Sequence, residues 1–269
     1  MSAVHDFDLV LAGVGGQGVL SIAWVIDHAA HEAGLHFKQS EVHGMAQRGG
    51  AVSACVRLSD RPVASDLIAQ GSASLILSVE PLEALRYTPL LRPDGWIVTD
   101  VTPMVNIPDY PPGEKLYPVL FSVPHLAVLD ATQLAKKAGN LKAQNMVALG
   151  AAARLLPFST ASLERWITAL FEAKGERIVK ANLNAFRKGD SASRFGAALT
   201  EAGVSGAMVA QVTARLQFPP HPLAAELVSA WAERLQAADG AEFARQLFDA
   251  GQAVKPDVVT AEPASQAAA

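Results

Sequence analysis

A single cysteine, Cys55, in a chain of 269 residues excludes an internal disulfide and a self-contained iron–sulfur centre, which generally needs four protein ligands, mostly thiolates. Any electron transfer in which this chain takes part must be shared with another polypeptide. Aromatic residues are also scarce, at 6% against 50% hydrophobic overall, so the apolar content is mostly aliphatic and alanine, as in helices packed on a Val/Ile/Leu sheet. Basic residues are scattered and the formal net charge is −4, which argues against a nucleic-acid binder with a concentrated basic face. The longest apolar runs, such as Ala73–Val79 and Met146–Ala153, fall far short of the ~20 residues that span a bilayer. The start, Met-Ser-Ala-Val-His-Asp, lacks a basic stretch leading into an apolar segment, so a cytoplasmic location without a membrane partner is expected.

What is present is a strand–turn–helix opening. Asp6–Ala12 is a short apolar run that stops at Gly13-Val-Gly-Gly-Gln-Gly18; a helical pattern follows and ends at Gly34. A second strand is expected over Leu35–Glu41, then a polar loop, His43-Gly-Met-Ala-Gln-Arg-Gly-Gly50. Further strands are expected at Ala51–Leu58, Ser72–Val79 and Gly95–Asp100, with a short helix after Pro81. Residues 102–113 carry four prolines and read as a surface excursion. Two extended pieces, Tyr117–Val123 and Leu126–Leu129, precede a helix over Ala131–Lys137. Helices are then expected over Asn145–Leu156, Ser159–Ala173 and Gly175–Lys188. Beyond Gly189 two or three short amphipathic helices reach to about residue 250. The expected fold is α/β: a Rossmann-like three-layer sandwich with a mostly parallel sheet over 1–189, a helical extension over 190–254 and a disordered tail over 255–269.

Gly13, Gly15 and Gly18 match G-x-G-x-x-G between a strand and a helix. The first glycine permits a tight turn, the second lets an anion approach the backbone, and the third lets helix and strand pack closely. Glu41, 23 residues after Gly18, stands near where a dinucleotide fold places its ribose-binding acid. On pattern alone, NAD or FAD binding and a ligand-free tight turn both remain open. The second loop differs from a dehydrogenase, which would continue into an ordinary helix. It offers a fork-shaped donor, Arg48, for carboxylate or phosphate, a proton carrier, His43, and the backbone amides of Gly49 and Gly50. If the first two strands are neighbours, this loop emerges beside the glycine turn at the carboxyl edge of the sheet.

These residues resemble a known family. Gly13-Val-Gly-Gly-Gln-Gly-Val-Leu20, the loop Ser40–Gly50, and the paired segments Asn145–Gly150 and Lys180–Gly189 are similar to the gamma-domain subunits of 2-oxoacid:ferredoxin oxidoreductases, in particular the beta subunit of the indolepyruvate (arylpyruvate) type. The resemblance covers about residues 7–189. It implies oxidative decarboxylation of a 2-oxoacid to an acyl-CoA with electrons passing to ferredoxin. It also implies a larger partner, in a heterodimer or heterotetramer, that carries thiamine diphosphate and the iron–sulfur clusters, with coenzyme A as co-substrate and no cofactor on this chain alone. Carried over position by position, Gly13, Gly15, Gly16, Gln17 and Gly18 become a phosphate cradle. Glu41, His43, Gln47, Arg48, Gly49 and Gly50 become the loop facing partner, substrate or coenzyme A, with His43 and Arg48 the residues closest to chemistry. A free-standing NAD(P)- or FAD-binding oxidoreductase and a purely structural subunit are the alternatives.

Other candidates have plainer readings. His28 and His31 share a helix face but lack companion ligands, and are expected to be solvent-exposed. Asn145 is expected to cap a helix, and Cys55 to be a small buried strand residue. Trp166, Phe171 and Ile178 are expected in the core, and Leu223–Ala238 is an amphipathic helix that docks either on this domain or on a partner.

Overall fold

A computed structural model of the chain describes residues 6–43 and 49–257. The strands are β1 (Asp6–Val14), β2 (His36–His43), β3 (Ala51–Ser59), β4 (Ala73–Ser78), β5 (Leu91–Asp100) and β6 (Leu126–Leu129). They form one sheet in the order β2-β3-β1-β4-β5-β6. β1, β4, β5 and β6 pair in parallel, while β3 runs antiparallel to both β1 and β2. The first two strands are therefore not neighbours, because β3 lies between them. Since β3 opposes both, β1 and β2 still point the same way, and their carboxyl ends reach the same edge.

Alternation along the strands separates two cores. Leu9, Leu11, Val56, Leu58, Leu75 and Leu77 face α1 (Val19–Glu32), α5 (Gln144–Ala152), α6 (Thr160–Phe171) and α7 (Glu176–Glu201). Val10, Ile76, Ile97 and Val128 face α2 (Pro81–Arg86) and α3 (Gly113–Phe121), with α8 (Gly206–Thr213) closing the β6 end. The remaining helices are α4 (Ala131–Lys137), α9 (Ala225–Gln236) and α10 (Gly240–Asp249). This is the expected three-layer α/β sandwich with C-terminal helices.

Three readings need correction. Residues 117–121 are helical, part of α3, despite Pro118 inside it. Burial of Leu116 and Leu120, one turn apart, overrides the strand-like composition. α7 runs without a break through Gly189 to Glu201, so the change of character at that residue falls within a helix. The last described residues are also docked: Val254 bridges to Leu216, and the Trp231 indole N–H donates to the Pro256 carbonyl at 2.7 Å. Residues 258–269, the rest of the expected tail, lie outside the described residues.

The helix over 225–236 docks on this chain itself. Trp231 is fully buried against Phe195 of α7 and Phe243 of α10. α5 and α7 cross backbone to backbone at Gly150 and Gly189; a Cβ at either position would come within 1.9 Å of a carbonyl oxygen of the other helix. The family-like segments Asn145–Gly150 and Lys180–Gly189 thus meet at this crossing.

Candidate functional site at the carboxyl edge

The turn after β1 is built from its own glycines. Gly16 and Gly18 take positive φ, at 101° and 79°, a backbone region that glycine enters without steric cost. Gly13 has no room for a side chain, since a Cβ would lie 2.6 Å from Val79 Cγ2. Gly18 precedes α1 in the left-handed conformation, and a Cβ there would meet Asn145 Nδ2 at 2.5 Å. Among the described residues no side chain caps α1, and its first turn holds no acid. The N–H groups of Val19 and Leu20 therefore have no intrahelical acceptor and mark the positive end of the helix dipole.

Two of the expected cradle residues are committed internally. The buried Gln17 side chain accepts from Val14 N–H through Oε1 at 2.7 Å and donates through Nε2 to the Val79 carbonyl at 2.9 Å. It ties the turn to the end of β4 across the point where the strand order reverses. The Gly15 amide donates to the Gly50 carbonyl at 2.8 Å. That bond joins the two glycine segments, as their sequence suggests, though by a different route through the sheet.

Of the second loop, Gly49 and Gly50 lie against this turn, with Gly49 at φ 78°. Glu41 is exposed on β2, where its carboxylate accepts from Gln39 Nε2 at 2.5 Å. His43 is the last residue of β2; Gln47 and Arg48 lie outside the described residues. Asn145 is not a cap: it sits inside α5, where Nδ2 donates to the Gly18 carbonyl at 3.1 Å and Oδ1 accepts from Met146 N–H. It is a brace for the glycine turn, reaching across 127 residues of sequence.

Sequence reasoning missed an acidic row along the same edge. Glu80 follows β4, Asp100 ends β5 and Asp130 follows β6. Glu80, almost completely buried, caps α2 by accepting from Glu83 N–H at 2.8 Å, and also accepts from Met104 N–H at 3.2 Å and from the Tyr110 hydroxyl. Asp100 accepts from Thr102 N–H, Ala131 N–H and the Thr132 hydroxyl at 3.0–3.1 Å; burial nonetheless pushes its pKa up to about 7. Asp130 caps α4 through Gln133 N–H at 2.8 Å. The signal was present: an acid at a strand end directly before a helical run is a start signal.

These acids hold the proline-rich excursion, residues 102–112, over the edge. Asn106 Nδ2 donates to the Gly49 carbonyl at 2.8 Å, so the excursion reaches the glycine turn. Its Met104, Val105 and Ile107 side chains are left exposed.

The histidine pair is not solvent-exposed as a unit. His31 is exposed, but His28 lies half-buried against Trp24 and Trp166, with ring centroids 3.8 and 4.8 Å away. Among the described residues no group of three His, Cys, Asp or Glu could hold a metal ion. Cys55 is half-buried on β3, and burial raises its thiol pKa.

The sequence model of the pyruvate ferredoxin/flavodoxin oxidoreductase family matches residues 8–192, which includes the turn, both braces and the α5–α7 crossing. The chain belongs to that family. Among similar proteins, the indolepyruvate oxidoreductase subunit IorB of Methanothermobacter thermautotrophicus is 36% identical over 72% of this chain and 98% of its own length. The same-named subunit of Archaeoglobus fulgidus is 34% identical over 68% of this chain and 92% of its own. Among solved structures, 2-oxoglutarate:ferredoxin oxidoreductase from Magnetococcus marinus, with 2-oxoglutarate, coenzyme A and succinyl-CoA bound, superposes with a TM-score of 0.57 at 18% identity. It covers 93% of this chain and 43% of that one, and supports the fold of this family member alone.

Proposed function

We propose that this chain is the small subunit of an indolepyruvate-type 2-oxoacid:ferredoxin oxidoreductase, working in the cytoplasm with a larger partner. The names of its relatives supply the reaction class. The observation on this chain that carries the reading is the acid-free N-terminus of α1, uncapped among the described residues and set beside Gly49 and Gly50 at the carboxyl edge. It suits one anionic group brought against the backbone, such as a coenzyme A phosphate or the substrate carboxylate. Gly16 and Gly18 shape that cradle, and Gln17 and Asn145 hold its geometry from behind.

The donor set does not fit an iron–sulfur cluster, since Cys55 is the sole cysteine of the chain. The clusters are therefore assigned to the partner, and thiamine diphosphate is assigned there too on the family resemblance, so that ferredoxin accepts the electrons from the partner. Arg48 is assigned to the charge of coenzyme A or substrate, His43 to proton transfer, and Glu41 and Gln47 to the loop that meets the partner.

The test is co-expression with the large subunit and assay of arylpyruvate oxidation. Turnover should require both chains and coenzyme A, and the Arg48→Ala variant should raise KM for coenzyme A or substrate roughly tenfold or more, the loss of one charge-assisted contact. Unchanged Michaelis constants for both would remove the role of Arg48. Full activity of this chain alone would overturn the assignment.

A further inference from the structure

A second concavity lies where the C-terminal helices meet α3, outside the carboxyl-edge cradle. It is an open groove of about 490 Å³, within the size range of small-molecule sites. α3 contributes Tyr117 and Phe121, whose rings stack at 6.0 Å, and α10 contributes Phe248, whose ring meets both edge-on at 5.0 and 4.9 Å. Just past α8, the Arg215 guanidinium lies 4.4 Å from the Phe248 ring centroid. Arg215 Nε donates to the Phe248 carbonyl at 2.9 Å, and that is its engaged donor among the described residues. No carboxylate comes within ion-pair distance of it among those residues; Asp130 and Asp249 act on it only from further away. Burial lowers its pKa, against the opposing pull of Asp130, Tyr117 and Asp249.

The rest of the lining narrows what could fill the groove. Glu114 and Asp249 stand on its wall, and the nearby Arg245 is already held by Glu242 through contacts of 2.6–3.1 Å. A polyphosphate would be repelled by the two acids and would find one cation with no ion-pair partner among the described residues, its Nε already engaged. A single carboxylate forked onto the two Nη groups of Arg215, with a flat ring against the half-buried Tyr117 and Phe121, answers both the charge and the aromatic wall. α8 and α10 lie beyond residues 8–192, so the groove exists because the family domain carries this extension.

We infer that the groove between α3, α8 and α10 binds a small aromatic monocarboxylate, with Arg215 as the carboxylate anchor and the half-buried Tyr117 and Phe121 as the aromatic wall. Binding there requires neither the partner nor turnover, so it stands or falls apart from the reaction proposed above. The experiment titrates the full chain with phenylacetate by calorimetry or ligand-observed NMR, beside 2-phenylethanol, which lacks the carboxylate, and cyclohexylacetate, which lacks the flat ring. Saturable phenylacetate binding is expected, with each analogue weaker by roughly tenfold or more. The Arg215→Gln variant should lose the preference for phenylacetate over 2-phenylethanol while keeping its far-ultraviolet dichroism. If that variant does not fold, Arg215→Lys keeps the charge and removes the fork, and should still weaken phenylacetate. Absence of saturable phenylacetate binding, equal binding of 2-phenylethanol, or unchanged affinity in a folded Arg215 variant would each overturn the proposal.

Discussion

Single residues at this site divide into those that shape the backbone and those that lock it, and the two respond differently to substitution. Gln17 uses both ends of its amide, accepting from Val14 and donating to Val79. Gln17→Glu keeps the shape but cannot donate when ionised, leaving the buried Val79 carbonyl unpaired beside a charge. A loss of about 1–3 kcal/mol in urea unfolding is expected, and an unchanged midpoint would show that the strut is not needed. Gly189 gives a contrast of sign. In a helix interior, Gly→Ala ordinarily stabilises by roughly 1 kcal/mol. Here the added Cβ would lie 1.9 Å from the Val147 carbonyl oxygen, so Gly189→Ala should destabilise by about 2 kcal/mol or more. Stabilisation instead would mean that α5 and α7 do not cross there.

Elements with strong local signals are legible in the amino-acid sequence. α1 is framed by a glycine turn and Gly34, and α4 by Asp130 and Gly139, so both fall where their end signals put them. The position of β3 is not legible, because the insertion of a strand between β1 and β2 depends on pairing that no local pattern encodes. α3 reads as strand because Tyr, Val and Phe around Pro118 resemble strand composition. The spacing of Leu116 to Leu120 and Tyr117 to Phe121 is the better guide. At the candidate site, the glycine turn is legible but the roles within it are not: that Gln17 and Asn145 point inward follows from packing partners 62 and 127 residues away. At this scale α1 and β2 also share a titration. Asp27 on α1 has its pKa raised from 3.8 to about 7, first by burial and then by Glu41 of β2. A carboxyl group whose folded pKa is raised favours folding fully below its unfolded pKa, and that contribution is lost as pH rises from about 4 through 7. Asp27→Asn should therefore shrink the fall in urea midpoint between pH 5 and pH 8, with Asp100, Asp130 and Glu83, whose carboxyl groups burial also pushes up, contributing to the slope that remains. An identical fall in the two proteins would remove Asp27 from the account.

Across the whole molecule, the C-terminal helices share the core of the family domain. α7 carries both: its first half meets α5 at Gly189, and its second half places Phe195 against Phe218 and Trp231. On the far side of the sheet, Thr213 of α8 donates its hydroxyl to the Val128 carbonyl of β6 at 2.6 Å. One contiguous apolar cluster runs from Leu9 on β1 to Phe243 and Ala244 on α10. Opening α9 without the sheet would expose the fully buried Trp231 and strand the indole N–H that bonds Pro256. Burying a side chain of that size contributes on the order of 3 kcal/mol or more, so separate opening should be disfavoured. Native-state hydrogen exchange tests this on the unaltered chain. As urea is added, the most protected amides of α9, around Trp231–Leu235, and those of β4, around Leu75–Leu77, should converge on one opening free energy with one urea slope. If α9 exchanges through a smaller opening of its own, with a shallower slope, then the extension is a separate unit and the groove against α3 is not held by the global fold.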